Sequence, residues 1–274
     1  MSLIGVFDSG VGGLSILDEA LRQLPQHDYI YLADSANAPY GEKTPDWIAQ
    51  RSLNLCKHLA EAGCHAIVVA CNTATAEAIK DIRAAIPIPI VGVEPGIKPA
   101  AMQSVNGIVG VLATEATLNS DKFNALLSTL PSHCQFIKQA GAGLVPLIEA
   151  GKANDGETLE LLAKHLEPIQ VAGSDTIVLG CTHYPFLRKA IRKLLGDKIT
   201  LIDTSEAVVK QLKRQLEVLA LNQADSANGD SSEYGAVHFF SSKDEQALLR
   251  MAQDLMHADL KNHRVSTAQL GSIS

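Results

Sequence analysis

Short apolar runs alternate with amphipathic stretches along most of the chain. The runs are rich in β-branched residues and do not alternate between polar and apolar positions, which predicts buried parallel strands. Four of them lie in the first third: LIGVFD, DYIYLAD, AIVVAC and IPIVGVE. Apolar residues at helical spacing predict helices between them, over about 13–24, 45–62 and 75–85. Thr44 before Pro45 is typical of a helix start. This order indicates βαβ units around a mostly parallel sheet.

The second half of the chain repeats the first. IVGVLATEATL resembles LIGVFDSGVGGL, so that Gly5 aligns with Gly110, 105 residues later. TIVLGCTHYP resembles AIVVACNTAT, so that Cys71 aligns with Cys181, 110 residues later. A repeat of this length is not that of a solenoid. It predicts an α/β fold of two similar domains with mostly parallel sheets, related by a pseudo-twofold axis, with an active site in the cleft between them.

The domain boundaries follow from breaks in this pattern. Prolines and a glycine cluster in VEPGIKPA, residues 93–100, where we place the crossing into the second domain. After Ile202 come a helix over about 205–219, a polar loop NQADSANGDSSEYG, a strand AVHFFSS and a helix over about 243–256. Because the second half already has a full set of elements, we assign these to the first domain. The first domain then comprises 1–95 plus 207–274 and the second 96–206, with the last ten residues frayed.

Composition narrows the class of protein. Apolar residues make up 46% and charged residues 19%, as in an ordinary globular protein. The formal net charge is −7, and no basic block is present, so we expect no nucleic-acid partner. No apolar run approaches the length of a membrane span, and the N-terminus does not resemble a signal peptide. We therefore expect a cytoplasmic protein without a membrane partner.

The five cysteines do not predict a disulfide framework, because their number is odd and the chain is large. No CxxC pair exists, and Cys181 with His183 is only a CxH pair, which gives weak support for zinc. Cys56 lies inside a helical pattern, Cys64 lies at a helix–strand turn, and Cys134 has no sequence partner. We interpret these three as packing residues.

Cys71 and Cys181 differ from the others because each ends an apolar strand and is followed by polar side chains. Ligands of parallel α/β sheets bind beyond the carboxyl ends of the strands. Two thiols approaching one pocket from opposite sides suit racemisation, in which one base removes an α-proton and an acid delivers a proton to the other face. A thiol pKa falls near a helix N-terminus. We expect Asn72 or Thr73 to cap the helix after Cys71, and Pro185 to lie in the first turn after Cys181.

Other candidate residues have plain structural alternatives. DSGVGG could hold a phosphate, but it lacks the Lys-Ser/Thr of a Walker motif and does not match GxGxxG. A glycine turn that places Asp8 and Ser9 at a pocket is favoured. His183 could equally be a satisfied core histidine, and Asp34 with Ser35 could cap a turn. Glu149 could be a solvated helix residue.

At these residues the chain resembles the glutamate racemases, which supply D-glutamate for bacterial peptidoglycan without a cofactor. The resemblance covers nearly the whole chain. It rests on six segments: GVFDSGVGGLS, YLADSANAPYG, VACNTAT, VGVEPGIKPA, VPLIEAG and LGCTHYP. The match is looser around QAGAGLVPLIEAG, which makes the role of Glu149 less secure, and the polar stretch at 222–234 is an extra or variable loop.

The resemblance implies that Cys71 and Cys181 are the two proton donors and acceptors, assisted by Asp8, His183 and Glu149. It implies a substrate site formed by Asp8, Ser9, Tyr40, Gly41, Asn72, Thr73, Thr114, Thr117, Thr182 and His183. It implies neither cofactor nor metal, glutamate as the small-molecule substrate, and a homodimer. Some family members are controlled by a cell-wall precursor and others by oligomer geometry, and these residues do not decide between the two. The precursor is therefore a candidate effector only.

Three other functions remain open. Racemisation of aspartate or another acidic amino acid would use the same two thiols. A binding or regulatory protein on this scaffold would not need both cysteines, and both are present. A thiol-redox enzyme would require Cys71 and Cys181 to pair across the cleft.

Overall fold

The computed structural model describes residues 1–222 and 233–270. Most of the predicted polar loop therefore lies outside the described residues. The strands are β1 (Leu3–Asp8), β2 (Asp28–Ala33), β3 (Ala66–Val69), β4 (Ile90–Gly92), β5 (Ile108–Ala113), β6 (Gln135–Ala140), β7 (Thr176–Gly180), β8 (Thr200–Ile202), β9 (Ala236–Ser241) and β10 (Arg264–Gln269).

Helices follow nearly every strand. They are α1 (Leu14–Gln23), α2 (Pro45–Glu61), α3 (Asn72–Ala85), α4 (Ile97–Gln103), α5 (Glu115–Asn119), α6 (Asp121–Leu127), α7 (Leu144–Glu149), α8 (Gly156–Val171), α9 (Arg188–Leu195), α10 (Ser205–Asn222) and α11 (Glu245–Leu255). Short 3₁₀ turns cover Tyr40–Glu42, Tyr184–Leu187 and Leu260–Asn262. The predicted start of α2 is confirmed, since the Thr44 hydroxyl accepts a hydrogen bond from the Trp47 N–H. Within the described ranges, no helix is both long and apolar enough to cross a membrane.

Two sheets organise the described part of the chain. The first has six strands in the order β10-β9-β2-β1-β3-β4, and the second has four in the order β6-β5-β7-β8. All the strand pairs in both sheets are parallel. The order β2-β1-β3-β4 recurs as β6-β5-β7-β8, so that the second sheet repeats the last four strands of the first. The predicted α/β fold with two similar, parallel sheets is confirmed.

The repeat holds at the level of single residues. Gly5 pairs with Ile67 in the first sheet, and Gly110 pairs with Ile177 in the second. Each glycine lies under a helix: a Cβ on Gly5 would be 3.1 Å from Leu59 Cδ1, and one on Gly110 would lie 2.5 Å from Ile169 Cγ2. The lack of a side chain lets α2 and α8 pack closely on their strands. Because Cys71 follows Ile67 by four residues and Cys181 follows Ile177 by four, the two cysteines occupy equivalent positions.

Apolar packing joins the two sheets into one body around the site. A single buried cluster contains Val11 and Leu14 from the first half and Leu144 and Ile148 from the second. Cys56 and Cys64 are buried in a second apolar cluster, and the Cys134 thiol is half-buried and donates to the Ala101 carbonyl at 3.8 Å. Strands β9 and β10 join the first sheet. The domain boundaries 1–95 plus 207–274 and 96–206 stay a prediction.

The structure corrects two local expectations. Residues 265–269, predicted to be frayed, form most of β10 because their backbone pairs with β9 along its whole length. Helix α3 begins at Asn72 rather than near Thr75. Helix α4 was not predicted, although it begins inside the segment 93–100. It can form there because Pro99 lies in its first turn, where the missing N–H removes no helical hydrogen bond.

Candidate active site

The first thiol of the site begins a helix. Cys71 is extended and serves as the N-cap of α3, where its sulfur accepts a hydrogen bond from the Ala74 N–H at 3.4 Å. The predicted caps, Asn72 and Thr73, instead lie in the first turn, because the sulfur already satisfies the N–H that a cap would bind. The Cys71 thiol donates to the Ser9 hydroxyl at 3.4 Å.

The environment of Cys71 keeps its thiol protonated. Only 5% of the residue is exposed. Burial, with a smaller contribution from the Asp8 carboxylate, raises the pKa of Cys71 to about 12. The charge of Cys181 also affects this pKa, so that the two cysteines lie close enough to interact electrostatically.

The second thiol lies beside an imidazole. Cys181 directly follows β7, and its sulfur lies 3.7 Å from Nδ1 of His183. The other ring nitrogen of His183, Nε2, is 2.6 Å from Oε1 of Glu149. Burial opposes a charge on His183, but hydrogen bonds to Cys181 and Glu149 outweigh it and raise the pKa of the imidazole well above its usual value. Pro185 lies in a 3₁₀ turn that leads into α9, as the sequence predicts for a first turn.

Asp8 ties the two halves together at the end of β1. Its carboxylate accepts from the Gly10 N–H at 2.9 Å and from the Thr182 hydroxyl at 3.1 Å. The residue is fully buried, and this burial raises the pKa of its carboxyl, while the nearby His183 charge partly opposes the rise. Asp8 therefore binds the residue next to Cys181 and lies close enough to Cys71 for its charge to affect that thiol.

The glycines of DSGVGG allow the turn after β1 to lie directly against residues of the second half of the chain. A Cβ on Gly10 would overlap the Glu149 carboxylate, and one on Gly12 would overlap the His183 ring. The Val11 N–H donates to Glu149 Oε1 at 2.7 Å. The space above the turn is thus filled by the Glu149–His183 pair, and the turn places Asp8 and Ser9 at the site as the favoured interpretation predicts.

Three threonines form a chain of hydroxyl groups across the two sheets. Thr73 Oγ1 lies 3.0 Å from Thr114 Oγ1, and the Thr114 hydroxyl donates to Thr117 Oγ1 at 2.8 Å. Thr73 and Thr117 are buried, and Thr114 is half-buried. Gly41 lies against Thr114, since a Cβ on this glycine would be 3.4 Å from Thr114 Cβ. The structure therefore brings the candidates from 41, 73, 114 and 117 to one place.

Tyr40 and Asp34 lie behind this group. The Tyr40 hydroxyl donates to Asp34 Oδ2 at 2.7 Å, so the phenol is already committed to a protein partner. Asp34 also binds the Arg51 guanidinium at 2.8 Å, a contact not predicted from the sequence. The sequence did contain a hint of this contact. Arg51 is a charged residue spaced three positions after Ile48 and four before Leu55, which both lie on the buried face of α2.

The arrangement provides two thiols with different partners. Cys71 has a hydroxyl neighbour and the carboxylate of Asp8, whereas Cys181 has an imidazole supported by a carboxylate. The first N–H groups of α3 have no helical acceptor and point toward the same end of the sheet, where they favour an anion. Among residues 1–222 and 233–270, no group of three or more His, Cys, Asp or Glu side chains is placed to hold a metal ion.

Comparison with known proteins gives the same family throughout. A model of the family described as Asp/Glu/Hydantoin racemase matches residues 4–212. The glutamate racemase of Cupriavidus pinatubonensis is 47% identical over 263 residues, which cover 96% of this chain and 94% of the relative. That of Ralstonia pickettii is 51% identical over 224 residues, which cover 82% of this chain and 79% of the relative.

A solved structure agrees over the full length. Escherichia coli glutamate racemase, in complex with L-glutamate and the activator UDP-MurNAc-Ala, has a TM-score of 0.82 and 32% identity, covering 98% of this chain and 99% of that one. The matched region contains both repeats, both cysteines and the residues that link them. The chain belongs to the Asp/Glu/Hydantoin racemase family.

Proposed function

We propose that the chain interconverts L- and D-glutamate without a cofactor, by proton transfer between the substrate α-carbon and two cysteines. One observation carries this proposal: Cys71 and Cys181 occupy equivalent positions after β3 and β7 and lie close enough for their charges to interact. In each turnover, one thiolate takes the α-proton and the opposite thiol delivers a proton to the other face. The two sulfurs end the turnover with their protonation states exchanged.

Different groups assist the two thiols in this proposal. Asp8 assists on the Cys71 side, because its carboxylate lies close enough to affect the Cys71 pKa. His183 assists Cys181, from which its Nδ1 is 3.7 Å away, and Glu149 holds the other ring nitrogen. An imidazole of raised pKa can carry the proton that Cys181 gives up or receives.

The substrate carboxylates must bind to neutral donors. None of the candidate site residues is a lysine or arginine, so the proposal assigns this role to hydroxyls, an amide and backbone N–H groups. The residues concerned are Ser9, Asn72, Thr73, Thr114, Thr117 and Thr182, with the backbone of the turn at Tyr40 and Gly41. Preorganised dipoles of this kind stabilise a developing enediolate without having to reorient.

Activation must accompany substrate binding. With a pKa of about 12, the Cys71 thiol is almost entirely protonated near neutral pH before the substrate enters. The α-proton of an amino acid is also weakly acidic. The positive end of α3, which starts at Cys71, favours both the thiolate and a bound carboxylate. Closure of the site around the substrate strengthens these interactions by excluding water.

The proposal extends to the biological setting. D-Glutamate made by this chain would enter peptidoglycan synthesis, with a cell-wall precursor as candidate effector. The cytoplasm suits the mechanism because it keeps thiols reduced, and the five cysteines of the structure are free. We also propose a homodimer, on the resemblance alone. Light scattering should then give about twice the 29.2 kDa chain mass.

Circular dichroism of pure D-glutamate tests the reaction. The protein is added under reducing conditions without cofactor, with D-aspartate and other D-amino acids in parallel samples. Decay of the glutamate signal to zero, with flat traces for the others, supports the proposal. Decay for aspartate alone keeps the mechanism and changes the substrate. Flat traces throughout, including after addition of UDP-MurNAc-L-Ala, would exclude a racemase acting on these amino acids.

A further inference from the structure

Asp34 is a buried carboxylate with an unusually complete set of donors. It follows β2 and is fully buried. Arg51 binds it with a fork: Nε lies 2.9 Å from Oδ2, and a terminal nitrogen lies 2.8 Å from Oδ1. The Tyr40 hydroxyl and the Asn37 amide complete the shell at 2.7 and 3.1 Å. Burial alone would raise the pKa of Asp34, but these donors, Arg51 first, hold it below its usual value.

This cluster fixes one end of the turn that reaches the second sheet. The centroid of the Tyr40 ring lies 6.2 Å from that of Phe7 and 5.2 Å from that of Trp47, which it meets edge-on. The next residue, Gly41, lies against Thr114 of the hydroxyl chain. The phenol that Asp34 holds and the backbone that lies against Thr114 thus belong to consecutive residues.

We propose that Arg51 is a positioning residue for the substrate site. Its guanidinium keeps Asp34 ionised, ionised Asp34 holds the Tyr40 hydroxyl, and Tyr40 sets the Gly41 backbone against Thr114. The inference rests on the proposed function, which places glutamate beside this turn. In this proposal Arg51 acts on the site through Asp34 and Tyr40. Its effect is on how tightly the substrate is held, and the proton transfer between Cys71 and Cys181 does not depend on it directly.

The chemistry of Arg51 explains why another cation would serve less well. A guanidinium satisfies both carboxylate oxygens with a rigid fork, whereas a lysine ammonium is a single point charge on a flexible stem. Without any cation, the buried carboxylate would take up a proton at a higher pH. The Tyr40 hydroxyl would then lose its charged acceptor, and the turn would loosen.

Three variants test whether Arg51 positions the substrate site: Arg51→Met, Arg51→Lys and a surface control. The control is Arg22→Met, because Arg22 pairs with Glu19 on the surface of α1 and 57% of its side chain is exposed. In Arg51→Met we expect the KM for both glutamate enantiomers to rise about tenfold, with kcat changed less than about threefold, as for lost uniform binding. Its kcat/KM should also fall toward acidic pH, where the wild type holds steady. Arg51→Lys should be intermediate, and Arg22→Met should match the wild type.

Tryptophan fluorescence reports on the packing of the turn at Tyr40 and Gly41 without requiring catalysis. Trp47 is the single tryptophan of the chain and packs on Tyr40. We expect the emission of Arg51→Met to shift to the red before any substrate is added, and that of Arg22→Met not to shift. This measurement separates the inference from the proposed function. If the wild type does not racemise glutamate, the proposed function fails, and the Trp47 shift still decides whether Arg51 holds the turn.

Several results would overturn the inference. A folded Arg51→Met with wild-type KM and wild-type Trp47 emission would do so, as would a loss confined to kcat. Should Arg51→Met fail to fold, the double variant Asp34→Asn with Arg51→Met removes both charges. A wild-type KM in that variant contradicts the inference, and a raised KM with red-shifted emission supports it.

Discussion

His183 and Glu149 form the link between the second thiol and the glycine turn of the first sheet. His183 Nε2 lies 2.6 Å from Glu149 Oε1, and that same oxygen accepts the Val11 N–H at 2.7 Å. One carboxylate thus sets both the orientation of the imidazole beside Cys181 and the position of the turn that follows Asp8. The two sides of the site are mechanically connected through it.

The first prediction concerns the pH dependence of stability. The pKa of His183 is raised above its unfolded value of about 6.5, so its contribution to stability is fully present below that pH and is lost as pH rises through the folded pKa. Glu149→Gln removes the carboxylate that helps to raise it. Between pH 7 and 9 we expect the wild type to lose about 1 kcal/mol more free energy of unfolding than Glu149→Gln. Its Tm should therefore fall by about 2–4 °C more over this range.

The matched control for that prediction is Glu157→Gln. Glu157 is exposed and pairs with Lys152 on the surface, so this variant should follow the wild type at each pH. Equal slopes for Glu149→Gln and the wild type would show that the carboxylate does not hold a proton on His183. Thermal unfolding followed by circular dichroism provides the measurement.

The second prediction contrasts two buried aspartates at neighbouring strand ends. The pKa of Asp8 is raised by burial, so that its ionisation costs stability as pH rises above the unfolded value of about 3.8. In Asp8→Asn, the amide can still accept from the Gly10 N–H and can donate to the Thr182 hydroxyl. We expect this variant to melt no lower than the wild type at pH 8, while racemase activity falls about 100-fold.

Asp34→Asn should behave in the opposite way. The pKa of Asp34 is held low by Arg51, Tyr40 and Asn37, so its ionised form adds stability above the unfolded pKa. Removing the charge leaves the Arg51 guanidinium without its carboxylate, and we expect a clearly lower Tm at pH 8. If Asp8→Asn lost as much stability as Asp34→Asn, the inference that ionised Asp8 costs stability would be wrong.

The third prediction tests the close approach between the two halves. A methyl group at Gly12 would overlap the His183 ring and crowd the Thr182 hydroxyl. We expect Gly12→Ala to lose about 100-fold or more in kcat, because a displacement of about 1 Å in a catalytic group is enough for such a loss. Gly156→Ala is the control, since Gly156 begins α8 with open space around it, and it should keep wild-type activity. Steady-state racemisation of both enantiomers measures the two variants.

The sequence repeat predicted the position of the two thiols because β-branched runs end at both. The repeat placed both thiols at equivalent strand ends, but β3 and β7 belong to different sheets, so their meeting at one site depends on how the sheets pack and stays a prediction. The fold class followed from the same runs. Strand β10 was missed because residues 264–269 are only partly buried and gain their order from backbone pairing with β9.

Other features depend on contacts that no local pattern carries. Glu149 could not be distinguished from a solvated residue, because its partners Val11 and His183 come from distant parts of the chain. The cap of α3 was misassigned because cysteine is not among the usual capping residues. Arg51 was missed because its partner Asp34 lies at the end of a strand 17 residues earlier, and only the packing of α2 on the sheet brings them together.

Deuterium exchange with Cys71→Ser and Cys181→Ser tests the two-thiol mechanism most directly. Each variant is incubated in D₂O with pure L- or pure D-glutamate, beside Cys134→Ser, whose cysteine lies outside the site. We predict that both site variants fold normally, lose racemisation, and incorporate deuterium at the α-carbon from only one enantiomer, opposite for the two variants. Cys134→Ser should racemise like the wild type. Normal racemisation by either site variant, or exchange of both enantiomers by both, would contradict the mechanism.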